Sequence, residues 1–327
     1  MIWTISSCNS ERQVLKHEYT VVSYNVENLF DTIDDPKIKD EEFLPESEKQ
    51  WTTERYQKKL DDLSRVISEI NPKELPELIG LAEIENQTVL EDLVHTASLK
   101  NQYGIVHEDS PDLRGIDVAL LYRKDAFTEV SHEAIPIHFP NEPNFKTRDI
   151  LHVSGKIRNK TVHVFINHWP SRIGGEEKTE PNRVFVASVL KLSVDQILSS
   201  DPKARVIIMG DMNDEPANKS LEETLGAKMP GSGATLINLM MPGDKADKGT
   251  YFYRGNWNML DNLIVSEPVF KSKGTHVENA RGFIFSSNWM IYTNQSGDKI
   301  PNRTYVGNKY VAGVSDHFPV YFKMWVK

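Results

Sequence analysis

Six apolar runs of this chain are bounded by polar residues of the kinds that bind cations or phosphate. Asn25 follows VVSY, Glu83 follows LIGLA, Asn167 and His168 follow HVFI, and Asp211 and Asn213 lie at the end of VIIMGDMN. Two runs show the reverse order, with Asp261 before NLIVS and Asp316-His317 before FPVYF. Carboxylates and amides offer hard oxygen ligands to a cation such as Mg²⁺. A histidine beside a carboxylate is held in one tautomer and favoured as imidazolium, which can donate to a phosphoryl oxygen as negative charge develops there. One polar residue at a strand end is ordinary, because strands surface there. Six such places, all of types that handle metals and phosphates, point to a shared site.

If the six share one rim, the first group sits at strand C-termini and the second at strand N-termini. The sheets must then be mixed or antiparallel, unlike the all-parallel sheet of a dinucleotide-binding fold. The elements agree with an α/β protein. YTVVSYN, LIGLAEI, DVALLYR, VHVFINH and RVIIMGD read as strands. Tyr56, Leu60, Leu63, Ile67 and Ile70 fall at helical steps behind an N-cap at Thr52 or Thr53, and Asn71-Pro72 ends that helix. Thr88 with Glu91 forms a capping-box pattern for a second helix, and Val184, Ala187, Leu190, Val194 and Ile197 make one face of a third. After Gly231 short strands and aromatics dominate, as in GTYFYRGNW, LDNLIVS and FPVYFKMWV.

Of the 327 residues 39% are hydrophobic, enough for a substantial core, and the formal net charge is -9. That charge counts against a protein that holds nucleic acid mainly by a basic surface, although it leaves room for a local phosphate site. Cys8 is the one cysteine, which excludes an internal disulfide framework and a cysteine-based zinc site. No run approaches the ~18 apolar residues of a membrane span. The opening MIWTISSCNSERQ resembles the end of a bacterial lipoprotein signal, although its hydrophobic part is short and lacks a basic start. On that reading Cys8 carries a lipid anchor, and the protein is periplasmic, at the cell surface or secreted rather than cytoplasmic; the alternative is a plain disordered tail. The expected organisation is a tail over residues 1–17 and one domain over 18–327, acting as a monomer.

The series SYNVEN, LAEIEN, GIDVALLYR, INHWPSR, MGDMND, MLDNLIVS and GVSDHFPV, in that order, resembles the endonuclease/exonuclease/phosphatase superfamily, the fold of pancreatic deoxyribonuclease. NHWPSR and RTYVGNKYVAGVSDHFPV are similar to its secreted bacterial nuclease-like members. The resemblance implies a four-layer α/β sandwich of two mostly antiparallel or mixed sheets flanked by helices. It implies Glu83 as the principal metal carboxylate, with Asn25 beside it and Asp316 completing an oxygen site for Mg²⁺, for which Mn²⁺ or Ca²⁺ could substitute. By the same resemblance Asp211 orients or deprotonates the attacking water and Asn213 holds that water or the phosphate. His317 contacts the phosphate with Asp261 as its orienting carboxylate, and His168 protonates the leaving group or binds phosphate. Asp117 is the candidate acid behind His168.

Other residues carry plainer readings beside the functional one. Glu85 lies two residues from Glu83 and so on the same strand face, and only the family pattern prefers Glu83. Asn86 reads as a helix cap, Asp214 and Glu215 as solvated loop acids, and His107, His132, His138 and His276 as structural or surface residues. Asn167, Arg172 and Arg183 are the expected substrate contacts, an arginine fork being suited to phosphate oxygens. Trp169 and Trp257 suit either stacking on a base or sugar, or core packing.

The implied activity is a divalent-metal-dependent phosphoesterase that attacks a phosphodiester with metal-positioned water and inverts at phosphorus, with DNA or RNA as the leading substrate. Alternatives are a lipid or small-molecule phosphoester, in the manner of sphingomyelinases or inositol phosphatases, and a catalytically inactive binding protein on the same fold.

Overall fold

The computed structural model describes residues 17–241 and 249–327. The expected lipidation site Cys8 lies outside the described residues.

Two large sheets pack face to face. The first is built on β1 (His17–Leu29) and β2 (Leu78–Ile84), which run parallel. The C-terminal strand Val320–Val326 pairs antiparallel with β1 on one side. On the other side β3 (Tyr103–His107) and β4 (Asp117–Arg123) extend the sheet antiparallel through β4. The second sheet begins with β5 (Phe127–Ile135), β6 (Ile150–Ile157) and β7 (Lys160–His168), and its central parallel pair is β7 with β8 (Arg205–Asp211). Past β8 come β13 (Asp261–Ser266), β10 (Leu236–Asn238) and β9 (Ala227–Lys228), and a separate hairpin joins β11 (Tyr251–Tyr253) to β12 (Asn256–Asn258). Each sheet thus has a parallel pair at its centre flanked by antiparallel strands, the mixed arrangement required by the order of polar and apolar residues.

Continuous apolar runs on the central strands follow from burial of both strand faces. Val22 and Tyr24 of β1 pack outward under α1 (Thr53–Ile70) and α2 (Gln87–His95), among Leu63, Ile67 and Leu90. Val21 faces the other way, into the layer between the sheets, with Val164, Ile207, Met209 and Leu263. Beneath the second sheet Phe165, Val206 and Ile208 meet Val186, Leu190 and Val194 of α3 (Glu176–Ser200). The order is helices, sheet, sheet, helix, and each fully buried aliphatic side chain in it is worth about 1.5–3 kcal/mol.

Thr52 precedes α1 and the helix ends at Ile70, as the spacing predicts. The second helix differs in its cap. Asn86 is the N-cap, its side chain accepting from the Val89 N–H, so the helix opens at Gln87 and Thr88 lies inside it. The third helix begins at Glu176, ahead of its expected apolar face.

Candidate active site

The six polar places do converge on one rim. In the second sheet His168 is in register with Asp211 on the parallel pair, and Asp211 with Asp261 across the antiparallel one. Three adjacent strands thereby present three chemical groups in one row. Gly210, just before Asp211, has φ +143°, and a Cβ there would stand 1.9 Å from the Asn167 carbonyl oxygen. Only glycine lets β8 pass this close to β7.

In the first sheet the register of β2 shifts between Ala82 and Ile84, and Glu83 adopts φ +66°. A left-handed carboxylate in a bulge is costly backbone, of the kind held at functional sites by surrounding structure. The bulge also breaks the alternation that would have put Glu83 and Glu85 on one face. Glu83 lines the cleft. Glu85 is buried instead, accepts from the Asp31 N–H at 2.6 Å, and has its pKa pushed up to about 8 by burial.

Asn25 ties the two sheets together. Its Nδ2 donates to Glu83 Oε1 at 3.2 Å and to Asp211 Oδ2 at 3.0 Å, while its Oδ1 accepts from the Glu27 N–H. It therefore orients two carboxylates with its donor side, its Oδ1 being turned to the Glu27 N–H. Glu83 also accepts from the Asn28 N–H at 2.9 Å. Glu83 and Asp316 both line the cleft, and Arg303 approaches Asp316 only to 3.8 Å. Two carboxylates open to the cleft, one aligned by an amide and a backbone N–H, fit a hard divalent cation that completes its shell from water or substrate. A separate group, His107, Asp109 and Asp117, brings its ligand atoms within 4.8 Å of one another, but none of the three lines the cleft.

Asp211 stands between two histidines, its Oδ2 3.7 Å from His168 Nε2 and 3.8 Å from His317 Nε2. Its Oδ1 accepts from the Asn213 N–H at 2.9 Å. Burial, with Asp261 adding to it, pushes the Asp211 pKa up to about 7 against the pull of His317. The histidines are driven apart. Burial opposes a charge on His317, but Asp261, Asp211 and Asp316 outweigh it and hold the imidazole pKa well above its ordinary value. Burial, helped by Arg148 and Arg114, holds His168 well below. The two rings are thus biased in opposite directions, His317 toward the imidazolium and His168 toward the neutral imidazole.

The loop after β7 corrects several expectations. Arg183 is completely buried: its Nε lies 2.7 Å from Asp214 Oδ1, and it also donates to Thr179 and to the Glu176 carbonyl. It cannot reach a substrate, and Asp214 is a buried ion-pair partner, not a solvated acid. Asn167 is likewise fully buried, accepting from the Trp169 indole N–H at 3.0 Å and donating to the Met209 carbonyl, so it is a packing residue. Trp169 is core. Arg172 lines the cleft, but its guanidinium donates to the Asn213 carbonyl, Asn258, Asp214 and Asn218 and pairs with Glu176. It clamps the loop that carries Asn213 rather than offering free donors. Asp117 turns away from His168: its Oδ2 is 3.4 Å from His107 Nε2 and its Oδ1 accepts from the Ser110 N–H. The Nδ1 of His168 has no hydrogen-bond partner among the described residues.

The groups on the rim form the floor of a cleft of about 850 Å³. One wall is the β11–β12 hairpin, with Tyr251, Tyr253 and Arg254; the other is Ser171 to Gly175. Tyr251 is fixed by its ring against His317, centroids 4.8 Å apart, and stacks at 6.3 Å with Tyr253. The sequence marked GTYFYRGNW as short-strand, aromatic chain but carried no sign that it pairs as a hairpin and folds back over His317. Arg114 also lines the cleft and was missed, since it stands in a loop before a strand with no motif of its own.

A sequence profile of the Endonuclease/Exonuclease/phosphatase family matches residues 20–326. No curated protein matches the chain. Solved structures share the fold at low identity. D. rerio TDP2 complexed with single-strand DNA product is 13% identical at a TM-score of 0.58, covering 94% of this chain and 98% of that one. The human Nocturnin catalytic domain with bound sulfate is 14% identical at 0.58, covering 95% of each chain. The mannosyl-6-phosphatase of Bacteroides thetaiotaomicron is 16% identical at 0.59, covering 94% of this chain and 99% of that one.

Proposed function

The chain belongs to the Endonuclease/Exonuclease/phosphatase family, and from that premise we propose that it is a divalent-metal-dependent phosphoesterase that hydrolyses phosphodiester bonds, with DNA or RNA as its substrate class. The observation that carries this reading is the polarised pair of histidines around Asp211, beside two carboxylates open to the same cleft.

Glu83 and Asp316 would hold the cation, which supplies Lewis-acid stabilisation of phosphoryl oxygen charge when bound. The protein's own groups divide the remaining work. Asp211, fixed by Asn25 and the Asn213 N–H, orients a water and accepts its proton. His317, charged and pinned through Nδ1 by Asp261 at 2.7 Å, directs Nε2–H toward a phosphoryl oxygen, where a preorganised donor is worth most as negative charge grows. His168, its Nε2 3.7 Å from Asp211 Oδ2, stands where it would bind the phosphate or protonate the leaving group. Tyr251 and Tyr253 offer stacked ring faces to a base or sugar on the hairpin wall.

The DNA product held by D. rerio TDP2 agrees with a nucleic-acid substrate. The net charge of -9 favours a second reading, a smaller phosphoester such as the sugar phosphate named for the Bacteroides relative. A Mg²⁺ and Mn²⁺ panel of single-stranded DNA and RNA, plasmid DNA, sphingomyelin, inositol phosphates, p-nitrophenyl phosphate and its bis ester tests both. Turnover of the oligonucleotides and bis ester is expected. Turnover of the monoesters alone would move the assignment to a phosphatase, and activity that survives chelation would remove the metal.

A further inference from the structure

We infer that Arg114 is a substrate-binding residue that receives the nonbridging oxygens of the scissile phosphoryl group, an inference that rests on the phosphoesterase reading above. The cations around the cleft differ sharply in availability. Arg183 and Arg148 are buried, and Arg148 donates to the carbonyls of His168 and Trp169 and to Asp112. Arg172 is engaged on five sides, as described. Arg254 lies over the ring of Tyr253 at 5.1 Å on the hairpin. Arg114 and Arg254 are the two lining arginines that remain open, and of these it is Arg114, with its side chain 52% exposed and only a loose 3.7 Å approach to Asp112, that stands on the His168 side of the site. Its charge is close enough to bear on His168, whose pKa it helps to lower.

The segment that presents Arg114 is built in an unusually rigid way for an exposed side chain. The buried Asp112 accepts the Arg114 N–H on Oδ1 at 2.9 Å while Arg148 holds Oδ2 at 3.1 Å, so one carboxylate links this turn to the backbone at His168. Gly115 closes the turn at φ +66°, where a Cβ would meet the Ile38 side chain at 2.2 Å. The Lys39 N–H donates to the Leu113 carbonyl, and Asp117, beside His107, accepts the Ser110 N–H. Ordering of this extent around a guanidinium that has almost no protein partner is what a preorganised anion receptor requires. The electrostatics call for one. Glu83, Asp211, Asp261 and Asp316 outnumber the cationic groups of the floor, so even beside a divalent ion an anionic substrate needs another positive contact.

Two measurements on the intact protein test this. Calorimetric binding of inorganic phosphate in the presence of Mg²⁺ should weaken roughly 10- to 100-fold in Arg114→Ala, the loss expected for a charge-assisted contact, and be partly restored in Arg114→Lys. With bis-p-nitrophenyl phosphate, kcat/KM should fall in the same order while the melting temperature stays unchanged. Unchanged phosphate affinity and kcat/KM in Arg114→Ala would overturn the inference. Wild-type protein that binds phosphate through Arg114 yet hydrolyses none of the panel would overturn the phosphoesterase reading and leave the receptor standing.

Discussion

His317 Nδ1 lies 2.7 Å from Asp261 Oδ2 in the floor of the cleft, while its Nε2 looks toward Asp211 Oδ2 at 3.8 Å. A carboxylate on one ring nitrogen leaves the other free to act on substrate. Asp261→Asn keeps the shape of the partner and removes its charge, so kcat should fall by about 10²–10⁴ while the fold persists. The His317 imidazole should also titrate at lower pH, read by nitrogen chemical shifts. A variant with the wild-type rate and an unmoved His317 titration would show that the dyad is structural.

Saturating Mg²⁺ should raise the melting temperature of the wild-type protein by several degrees, because an ion that binds only the folded state stabilises it by mass action. Glu83→Gln should lose that rise along with activity. A variant that keeps the full thermal shift would place the ion elsewhere, with His107, Asp109 and Asp117 the first alternative.

Arg183→Met should destabilise by about 3–5 kcal/mol in urea unfolding, because it strands the buried Asp214 charge without its 2.7 Å partner. The double change with Asp214→Asn should recover much of that loss. A single variant as stable as wild type would contradict the buried pair.

Glu77 sets a pH dependence of stability. Burial lifts its folded pKa to about 7, against the Thr20 N–H, which donates to it at 2.6 Å, and Arg123. The unfolded chain releases this proton near the ordinary value of 4.5, so the folded state holds it more tightly. Glu77 therefore makes stability fall as pH rises between about 4.5 and 7, by at most about 3 kcal/mol, and level off above. Glu77→Gln should flatten that slope in denaturation at pH 5, 6, 7 and 8. An equally steep decline in the variant would assign it to other groups.

The strands, the mixed sheets and the shared rim were legible because they rest on local signals: apolar runs of strand length, and the side of each run on which the polar residue stands. Asp211, His317, His168, Glu83 and Asp316 were found by that logic together with family resemblance, and all line the cleft. Asn25 shows what lay beyond local signals, since whether an amide turns its oxygen or its N–H₂ to a neighbour depends on carboxylates 58 and 186 residues away.

Arg172 and Arg183 show what a sequence withholds about charge. Both stand near His168 in the chain, and an arginine there reads as a phosphate contact until Asp214, Asn218 and the Asn213 carbonyl are seen to consume the donors. Arg114 shows the converse, as a residue in an unmarked loop left exposed in the cleft. Residue type and spacing determined which strands form and which chemical groups sit at their ends. Only the tertiary structure decided which of those groups are already satisfied by the protein and which remain open to a ligand, because hydrogen bonding and desolvation are settled by neighbours that the chain brings together from far apart.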